Sequence, residues 1–276
     1  MYTILLHKIR WQRWHMHVFD NDISLIEDSG KLKGAISQNW LVNGIPNGGY
    51  LIALLGNAMA MQSDKQSTPI VTANYISRCK PGDCDIEVEC FAQSAQFNRY
   101  QASLFQEGKE KIRAWGTFAN EKIECDIEKY ETQIPDVKSI DECVAIPEIP
   151  GYSLSTNVDV RLDPFSAGWM QGKLRDESIQ KGWITFRQER KFDVPALLLM
   201  SDAIPPAVFV SLGLVAWVPT IELTVNIRNM PQSRWLKFYS KTRFITCGLL
   251  ETDGEIWDEN RLVLISRQIA QVRIQK

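Results

Sequence analysis

One carboxylate stands out because of its surroundings. Asp202 ends the apolar run FDVPALLLMSD and is the only charged residue between Val194 and Ile221. A carboxyl group in apolar surroundings loses hydration, which moves its pKa toward the range where a general base works. Asp202 is therefore a candidate catalytic base. An alternative is that Asp202, shortly before Pro205 and Pro206, only caps a following helical turn.

The segment GIPNGGY, residues 44–50, leads into LIALLGNAMAMQ, which reads as a buried helix. Glycines at a helix start let a ligand approach the backbone, and the first N–H groups stabilise an anion. Gly48 and Gly49 are therefore candidate oxyanion donors. Alternatively, Asn47 only caps the helix and the two glycines only permit close packing.

Two further polar residues lie on strands of alternating pattern. Gln268 shares a strand face with Leu264, Ser266 and Ala270, so its amide points at an apolar or small-residue surface and needs a partner. Thr220 begins the strand pattern TIELTVNI, whose alternation places it on the polar face, where it could simply be solvated.

Other catalytic motifs fail on inspection. No GxSxG occurs, and the three histidines, His7, His15 and His17, precede the body of the fold, which disfavours a Ser-His-Asp hydrolase. His15 and His17 with Asp20 could bind a metal, but a mobile surface tail is the simpler interpretation. GWMQGKL imitates a phosphate loop, yet it is one residue short and no Ser or Thr follows Lys173. No metal and no cofactor is expected.

The elements that must position these residues come in two copies. VTANYISRCKP, residues 71–81, and IELTVNIRNMP, residues 221–231, share one pattern at an offset of 150. KIRAW, residues 111–115, lies over RLVLI, residues 261–265, at the same offset. Such self-similarity predicts two units of similar build.

Each unit is expected to contain an early apolar helix followed by three long antiparallel strands. The helices are expected over 51–61 and 195–212. The first copy has no carboxylate on its helix, and at the 150 offset Gln268 meets Phe118. The pattern therefore predicts one active site per chain. The expected division is an N-terminal extension (1–16), a first domain (17–125), a Pro-rich acidic linker (126–155) and a second domain (156–276).

Composition narrows the function classes. The chain has 276 residues, 31 Lys and Arg against 33 Asp and Glu, and a net charge of −2. This balance gives no general attraction to nucleic acid or anionic lipid, so a small-molecule partner is expected. The six cysteines match no metal, redox or disulfide pattern and are expected to be reduced and mostly buried. The start MYTILLHKIRWQRWHMH lacks signal-peptide features, which predicts a cytoplasmic protein.

Five strings occur in order: GIPNGGYLIALL, RCKPGD, SDAIPPAVF, WVPTIELTVNIR and ENRLVLISRQIAQVR. Together they resemble the double-hotdog acyl-CoA thioesterases of the thioesterase II (TesB-like) type, and more particularly a branch with the PNGGY signature. The resemblance extends from about Val18 to Arg273. It implies an α+β fold of two tandem hotdog units, each an antiparallel sheet wrapped around a central helix.

The resemblance also implies roles for the residues. Asp202, Thr220 and Gln268 would hold an attacking water, and Gly48 or Gly49 would polarise the thioester carbonyl. Direct attack by Asp202, giving a mixed anhydride, stays open. The three histidines precede the body of the fold, which argues against hotdog dehydratase or hydratase chemistry.

The expected partner is an acyl-CoA. Its acyl pocket would be apolar and partly lined by the second helix, Leu197 to Val208. Candidate contacts to the substrate are Asn47, Tyr50, Trp40 and Trp217. The physiological acyl group and the residues that bind CoA are open. A homo-oligomer is expected, and the rival function is an acyl-CoA or acyl-ligand binding hotdog protein without turnover.

Overall fold

The computed structural model describes residues 16–120, 127–214 and 218–272. The predictions for residues 1–15 and for Trp217 concern residues outside these ranges. The described α-helices are α1 (Val18–Asp22), α2 (Gly48–Gln62), α3 (Leu154–Asn157), α4 (Val194–Met200) and α5 (Phe209–Leu212). Short 3-10 helices span Gln38–Trp40 and Ala167–Gln171.

The strands follow a regular order along the chain. Those before the linker are β1 (Ile26–Asp28), β2 (Lys31–Ile36), β3 (Leu41–Val42), β4 (Ile45–Pro46), β5 (Ser67–Tyr75), β6 (Gly82–Gln93), β7 (Phe97–Gln106) and β8 (Lys109–Ala119). From the linker onward they are β9 (Val144–Ala145), β10 (Val158–Leu162), β11 (Ser178–Phe186), β12 (Thr220–Ile227), β13 (Leu236–Thr246), β14 (Leu249–Asp258) and β15 (Arg261–Gln271). The predicted linker therefore contributes one short strand, β9.

One large antiparallel sheet joins both halves. Its order is β1-β2-β6-β7-β8-β5-β12-β15-β14-β13-β11-β10-β9, and β3 and β4 form a separate pair. The first half lies on one side of the β5–β12 pair and the second half on the other. This is the tandem hotdog α+β fold expected from the sequence. Every strand between β2 and β10 has a neighbour on both sides, which removes exposed edges near the centre.

The β5–β12 pair lies on a pseudo-twofold axis. Thr72 lies directly opposite Thr224, and their hydroxyl oxygens are 3.0 Å apart. Pairing of β5 with β8 and of β12 with β15 makes Tyr75 correspond to Ile227, which is 152 residues later. The strand offset of 150 was therefore wrong by two residues. A shift of two keeps every side chain on its own face, so alternation cannot detect it.

Both seam strands carry an irregularity at corresponding points, between Ser67 and Ile70 in β5 and between Thr220 and Glu222 in β12. A β-bulge of this kind re-aims the side chains next to it. In β12, alternation holds from Leu223 onward, where Leu223 is buried, but Ile221 before the bulge is exposed. Ile221 therefore does not share the buried face of Leu223, where strict alternation would place it.

The two central helices differ in length. α2 has 15 residues and is buried on nearly all sides, because it packs between the first half of the sheet and α4. α4 has only seven residues and ends at Met200. The prediction of a helix that reaches residue 212 was therefore wrong. Pro205 and Pro206 have no N–H to continue the helix, and each disfavours helical geometry in the residue before it.

Two other sequence expectations were tested. Among the described cysteines, Cys79 and Cys84 are buried, but Cys90 and Cys247 are exposed, so the expectation of mostly buried cysteines holds only in part. Within the described ranges, no helix is both long enough and apolar enough to cross a bilayer.

Candidate active site

Asp202 lies two residues beyond α4, where the start of α2 approaches from the other half of the chain. The Gly49 N–H donates to Asp202 Oδ2 at 2.9 Å. The Asn47 side-chain amide donates to the same oxygen at 3.1 Å and to the Asp202 backbone carbonyl at 3.0 Å. The carboxylate therefore lies at the positive end of the α2 dipole, which stabilises negative charge.

Space at the α2 start explains the two glycines. A Cβ atom on Gly48 would lie 2.8 Å from Asp202 Oδ2 and 3.2 Å from the Tyr75 hydroxyl. A Cβ atom on Gly49 would lie 2.5 Å from the backbone oxygen of Leu199. Neither position can accept a side chain without moving the carboxylate or the end of α4. Close approach of the two segments is the reason for the PNGGY sequence at this point.

Gln268 connects the carboxylate to the β12 strand. Its Nε2 donates to Asp202 Oδ1 at 2.6 Å and to Thr220 Oγ1 at 2.8 Å. Gln268 is on β15 opposite Leu223, and both face the interior. The predicted need of this amide for polar partners is thereby met by Asp202 and Thr220.

Thr220 reaches this interior group because of the β12 bulge. Alternation alone would place Thr220 with Glu222 and Thr224 on the outer face, as the sequence pattern predicted. The irregularity between Thr220 and Glu222 reverses the facing, and Thr220 Oγ1 meets Gln268. The expectation that Thr220 shares the polar face was wrong, and its hydroxyl joins the site instead.

Burial is the largest influence on the carboxyl group and raises the pKa of Asp202 from 3.8 to about 6. The Gly49 amide, followed by Gln268 and Asn47 and then the Gly48 amide, acts in the opposite direction and favours the ionised form. A carboxylate with a pKa near 6 is ionised at neutral pH and still basic enough to accept a proton in a reaction.

Asn47 and Tyr75 shape the start of α2. Asn47 is the N-cap, accepting a hydrogen bond from the Tyr50 N–H at 3.0 Å while its amide nitrogen contacts Asp202. Tyr75 donates to the Gly48 carbonyl at 2.7 Å. Burial, and then the charge of Asp202, raise the pKa of Tyr75 well above its usual range, so the phenol stays protonated.

Tyr75 was missed in the sequence, although a signal was present. By alternation it shares the inner face of its strand with Val71 and Ala73, both fully buried. A tyrosine hydroxyl among inward-facing residues needs a hydrogen-bond partner, and this requirement could have singled it out.

Trp40 and Tyr50 are not at the site surface. Both are fully buried and stack on each other at 5.9 Å between ring centroids. The Trp40 Nε1 donates to Asp22 Oδ2, and the Tyr50 hydroxyl donates to the Asp22 carbonyl. In this structure these two rings are part of an aromatic core that anchors α1, and they do not form the walls of an open pocket. The burial of Trp40 and Tyr50 therefore does not support a contact with the substrate.

The structure thus brings together residues from four separate segments of the chain. Asp202, Thr220, Gln268, Gly49 and Asn47 form one connected hydrogen-bonded group, and Gly48 lies against it. A water molecule beside Asp202 Oδ1 would find a base, a hydroxyl and an amide within reach. Such a group can activate water for attack on an acyl carbon.

Comparisons with known families agree with the duplication. Residues 36–119 match the family described as acyl-CoA thioesterase N-terminal domain, and residues 140–272 match the acyl-CoA thioesterase C-terminal domain. The two matches together cover most of the chain and divide it at the linker. No curated protein sequence matches.

Solved structures with the same fold are numerous. A proposed thioesterase II from Thermobifida fusca YX is similar with a TM-score of 0.85 and 24% identity, covering 94% of this chain and 98% of that one. A hot dog fold protein of unknown function from Alicyclobacillus acidocaldarius has a TM-score of 0.86 and 19% identity, covering 95% and 100%. An acyl-CoA thioesterase II, TesB2, from Mycobacterium marinum has a TM-score of 0.76 and 15% identity, covering 94% and 99%.

Proposed function

The chain belongs to the acyl-CoA thioesterase family as a TesB-like double-hotdog thioester hydrolase, and on that premise we propose that Asp202, Thr220 and Gln268 activate the attacking water. The observation that carries the proposal is the contact of Gln268 Nε2 with both Asp202 Oδ1 and Thr220 Oγ1. Asp202 and Thr220, from separate segments, meet at the partly buried amide of Gln268, and each of the three can hydrogen-bond to the same water.

The proposed reaction consumes one acyl-CoA and one water. Asp202 accepts a proton from the water while the water oxygen bonds to the thioester carbon. The tetrahedral intermediate then breaks its carbon–sulfur bond, and the electron pair leaves on the CoA sulfur. The thiolate takes up a proton, Asp202 releases its own, and the products are a carboxylic acid and CoA. A thiolate is a good leaving group, so no strong acid is required beside it.

We assign the oxyanion role to the Gly48 N–H. The Gly49 N–H already donates to Asp202 Oδ2, so its role is to hold the base in position. The Gly48 N–H also lowers the pKa of Asp202, after the Gly49 amide, Gln268 and Asn47. It also lies at the positive end of α2, where developing negative charge on the carbonyl oxygen is stabilised.

The substrate is proposed to be an acyl-CoA, and the protein is proposed to act in the cytoplasm as a homo-oligomer. The large apolar residues Ile70, Trp115 and Ile265 are exposed on the outer face of the sheet around the Thr72–Thr224 pair. Such a patch is suited to pairing with a second copy. Light scattering on the purified protein tests this, since a monomer at all concentrations would contradict it. Membership of the PNGGY branch stays a prediction.

The proposed function is tested by release of free thiol from short, medium, long and aromatic acyl-CoAs. We expect the wild type to hydrolyse at least one of them. Asp202→Asn should lower kcat by about 100-fold or more, because general-base catalysis contributes roughly that factor.

Asp193→Asn is the matched control. Asp193 caps α4 and accepts hydrogen bonds from Arg190 and the Ala196 N–H, away from the site. It should affect stability by up to about 2 kcal/mol and leave kcat unchanged. If neither wild type nor variant releases thiol while acyl-CoA raises the melting temperature of both, the chain is an acyl-CoA binding protein.

A further inference from the structure

The inner face of the second half of the sheet carries polar side chains where the first half is apolar. Register places two rows of residues on this face, running from β15 across β14 and β13 to β11. We call these the polar rows: Gln268, Thr252, Thr242 and Ser178 in one, and Ser266, Gly254, Ser240 and Gln180 in the other. Gln268 belongs to the proposed catalytic group, so the rows begin at the reaction centre.

The corresponding face of the first half differs in both chemistry and burial. Ser266, Gly254 and Ser240 correspond to Ala114, Ala102 and Val88 at the strand offset of 152. Ala114 and Ala102 are fully buried. Ser266 and Gly254 are partly exposed, although they face inward.

Helix length explains this difference in exposure. α2 continues for 15 residues across the first half of the sheet, whereas α4 stops after seven. The chain then turns away at Asp202 and returns as α5 further along the sheet. The polar rows lie between these two helical segments, flanked by the apolar row Leu264, Ile256 and Phe238 on one side and by Val208, Leu250 and Ala270 on the other. We call this strip of the sheet the groove: its near end, at Ser266 and Gly254, is partly exposed, and its far end, at Gln180, is buried.

The far end of the groove holds a buried amide with nothing to bind. Gln180 is 0% exposed, and neither its Nε2 nor its Oε1 has a hydrogen-bond partner in the described parts of the chain. The neighbouring hydroxyls are already paired: Thr242 with Thr252 at 2.6 Å, and Ser178 with Ser211 of α5 at 2.6 Å. An unpaired buried amide is costly unless something else satisfies it.

We propose that this groove binds the acyl chain and that Gln180 recognises an oxygen function, a hydroxyl or carbonyl, near the distal end of that chain. The inference rests on the proposed function, because it assigns the substrate class of the same site. The Gln180 amide can donate to a carbonyl or hydroxyl oxygen and can accept from a hydroxyl. Removal of such an oxygen would leave the buried amide unpaired, which is how polar sites reject apolar analogues.

Sheet geometry gives the length of the acyl group. Three strand spacings separate β15 from β11, which is about 14 Å along the sheet. An extended chain covers about 1.2 Å for each bond, so the oxygen would lie up to about twelve bonds from the thioester carbon. The substrate class is therefore a medium-chain acyl-CoA oxidised at or near its far end.

The test compares thiol release from dodecanoyl-CoA, ω-hydroxydodecanoyl-CoA and 3-hydroxydodecanoyl-CoA. Wild type should prefer the ω-hydroxy substrate in kcat/KM by about 10-fold or more over the other two. Gln180→Met, which conserves shape and removes the amide, should abolish this preference, so that the ratio of kcat/KM for the ω-hydroxy substrate to kcat/KM for dodecanoyl-CoA falls to about one. An equal preference in wild type and variant would overturn the inference and leave thioester hydrolysis intact.

A second measurement does not depend on turnover. Gln106 is also a buried glutamine, but its amide is fully bonded to the Lys80 and Asp83 backbone. Gln106→Met should lower the melting temperature, whereas Gln180→Met should raise it or leave it unchanged, because only Gln180 is unpaired in the free protein. A loss of stability equal to that of Gln106→Met would contradict the inference.

If no acyl-CoA is hydrolysed, the proposed function fails and the inference is read by binding instead. Thermal stabilisation by ω-hydroxydodecanoate and by dodecanoate is then compared in wild type and Gln180→Met. Stronger stabilisation of wild type by the hydroxy acid, lost in the variant, supports the site. Equal stabilisation by both acids overturns it.

Discussion

The start of α2 and the start of α4 are corresponding places in the two halves, and they share a cap but differ in the residues that could serve a reaction. Asn47 and Asp193 are the N-caps, and each accepts a hydrogen bond from the residue three positions later. Aligned on these caps, Gly49 corresponds to Pro195, which has no N–H to donate. Asp202 corresponds to Gly56 in the middle of α2.

The strands show the same loss on the first half. Gln268 corresponds to Gly116 at the offset of 152. A Cβ atom on Gly116 would lie 2.6 Å from the Met59 sulfur, so α2 occupies the space that Asp202 occupies in the second half. The site beside Asp202 has a backbone N–H donor, a carboxylate and a side-chain amide. The corresponding place beside Gly56 has none of these three groups and is filled by packed side chains.

This contrast shows how a duplicated fold divides its work. The long α2 fills the first half and stabilises it, and its N-terminus is free to serve the neighbouring half. The short α4 leaves room for Asp202 and for the groove beside it. The site therefore requires both halves, because its base comes from one and its amide donors from the other.

The largest predicted effect comes from substituting Gly49, one of two glycines in α2 that pack against α4. Gly49→Ala would place a methyl group against the backbone oxygen of Leu199, which cannot move without displacing Asp202. We expect kcat for the best acyl-CoA to fall by about 100-fold, the cost of misplacing a catalytic group by about 1 Å.

Gly56→Ala is the matched substitution in the other place. Its methyl group would meet the end of the Leu198 side chain, which can rotate away. It should change stability and leave kcat close to the wild-type value. Equal losses of kcat in both variants would show that the Gly49 and Gly56 contacts with α4 are functionally alike, which would contradict a special role for the start of α2.

Gln268→Met should have the next largest effect. The substitution removes the donor to Asp202 and Thr220 while keeping a similar shape. We expect kcat to fall by about 10-fold to 100-fold. Because Gln268 lowers the pKa of Asp202, the acidic limb of the pH profile should also move to higher pH.

The pH readout separates positioning from a general loss of structure. Gln101→Met, which removes an amide from β7 in the first half, should change neither kcat nor the profile. A fall in kcat with an unmoved pH profile would show that Gln268 does not act on Asp202.

The wild-type pH dependence should be specific to Asp202. Only the ionised carboxylate can accept a proton, so kcat/KM should rise with pH through about 6. The contribution of Asp202 to the free energy of unfolding should change in the opposite direction and fall as pH rises. The folded pKa is raised above 3.8, so the stabilising effect of protonation is complete below that pH and is lost as pH rises through about 6.

Asp202→Asn tests this sign, because it mimics the protonated group at every pH. The variant should be more stable than wild type at pH 8, and this advantage should disappear near pH 4 when measured by urea denaturation. Asp193→Asn should show no such gain. A stability difference independent of pH would mean that Asp202 has an ordinary pKa.

The smallest predicted effect lies on the pseudo-twofold axis. Thr72 and Thr224 correspond to each other and share one hydrogen bond. A double-mutant cycle of Thr72→Val and Thr224→Val should give a coupling free energy of unfolding of about 0.5–1 kcal/mol, with kcat unchanged. Each single variant should cost a similar amount, as symmetry requires, and a strong inequality would show that the halves share the seam unevenly.

The sequence anticipated the general plan well. Alternation, the apolar helices and the pattern repeat predicted two units, each with long antiparallel strands and an apolar helix, and family motifs selected Asp202, Thr220 and Gln268. These features could be predicted because hydrophobic periodicity and motifs are read from residues that are close together in the sequence.

What the sequence did not reveal depends on geometry between segments. A two-residue change in offset leaves alternation unaltered, and the β12 bulge reverses the facing of Thr220 without any signal in composition. Trp40 and Tyr50 resembled pocket walls because aromatic residues are common there. Their contacts with Asp22 and with each other come from packing that no local pattern specifies.

The position of β15 in the sheet has a consequence for synthesis of the chain. β15 lies between β12 and β14 and supplies Gln268, although it follows all the other described strands along the chain. A chain emerging from the ribosome can complete β5 to β8 early, but β12 and β14 must wait for their shared neighbour. During that interval their unpaired edges are open to wrong partners, including strands of other nascent chains. Delay or truncation before Arg261 would therefore favour aggregation, and the enzyme would become active only after β15 has been made.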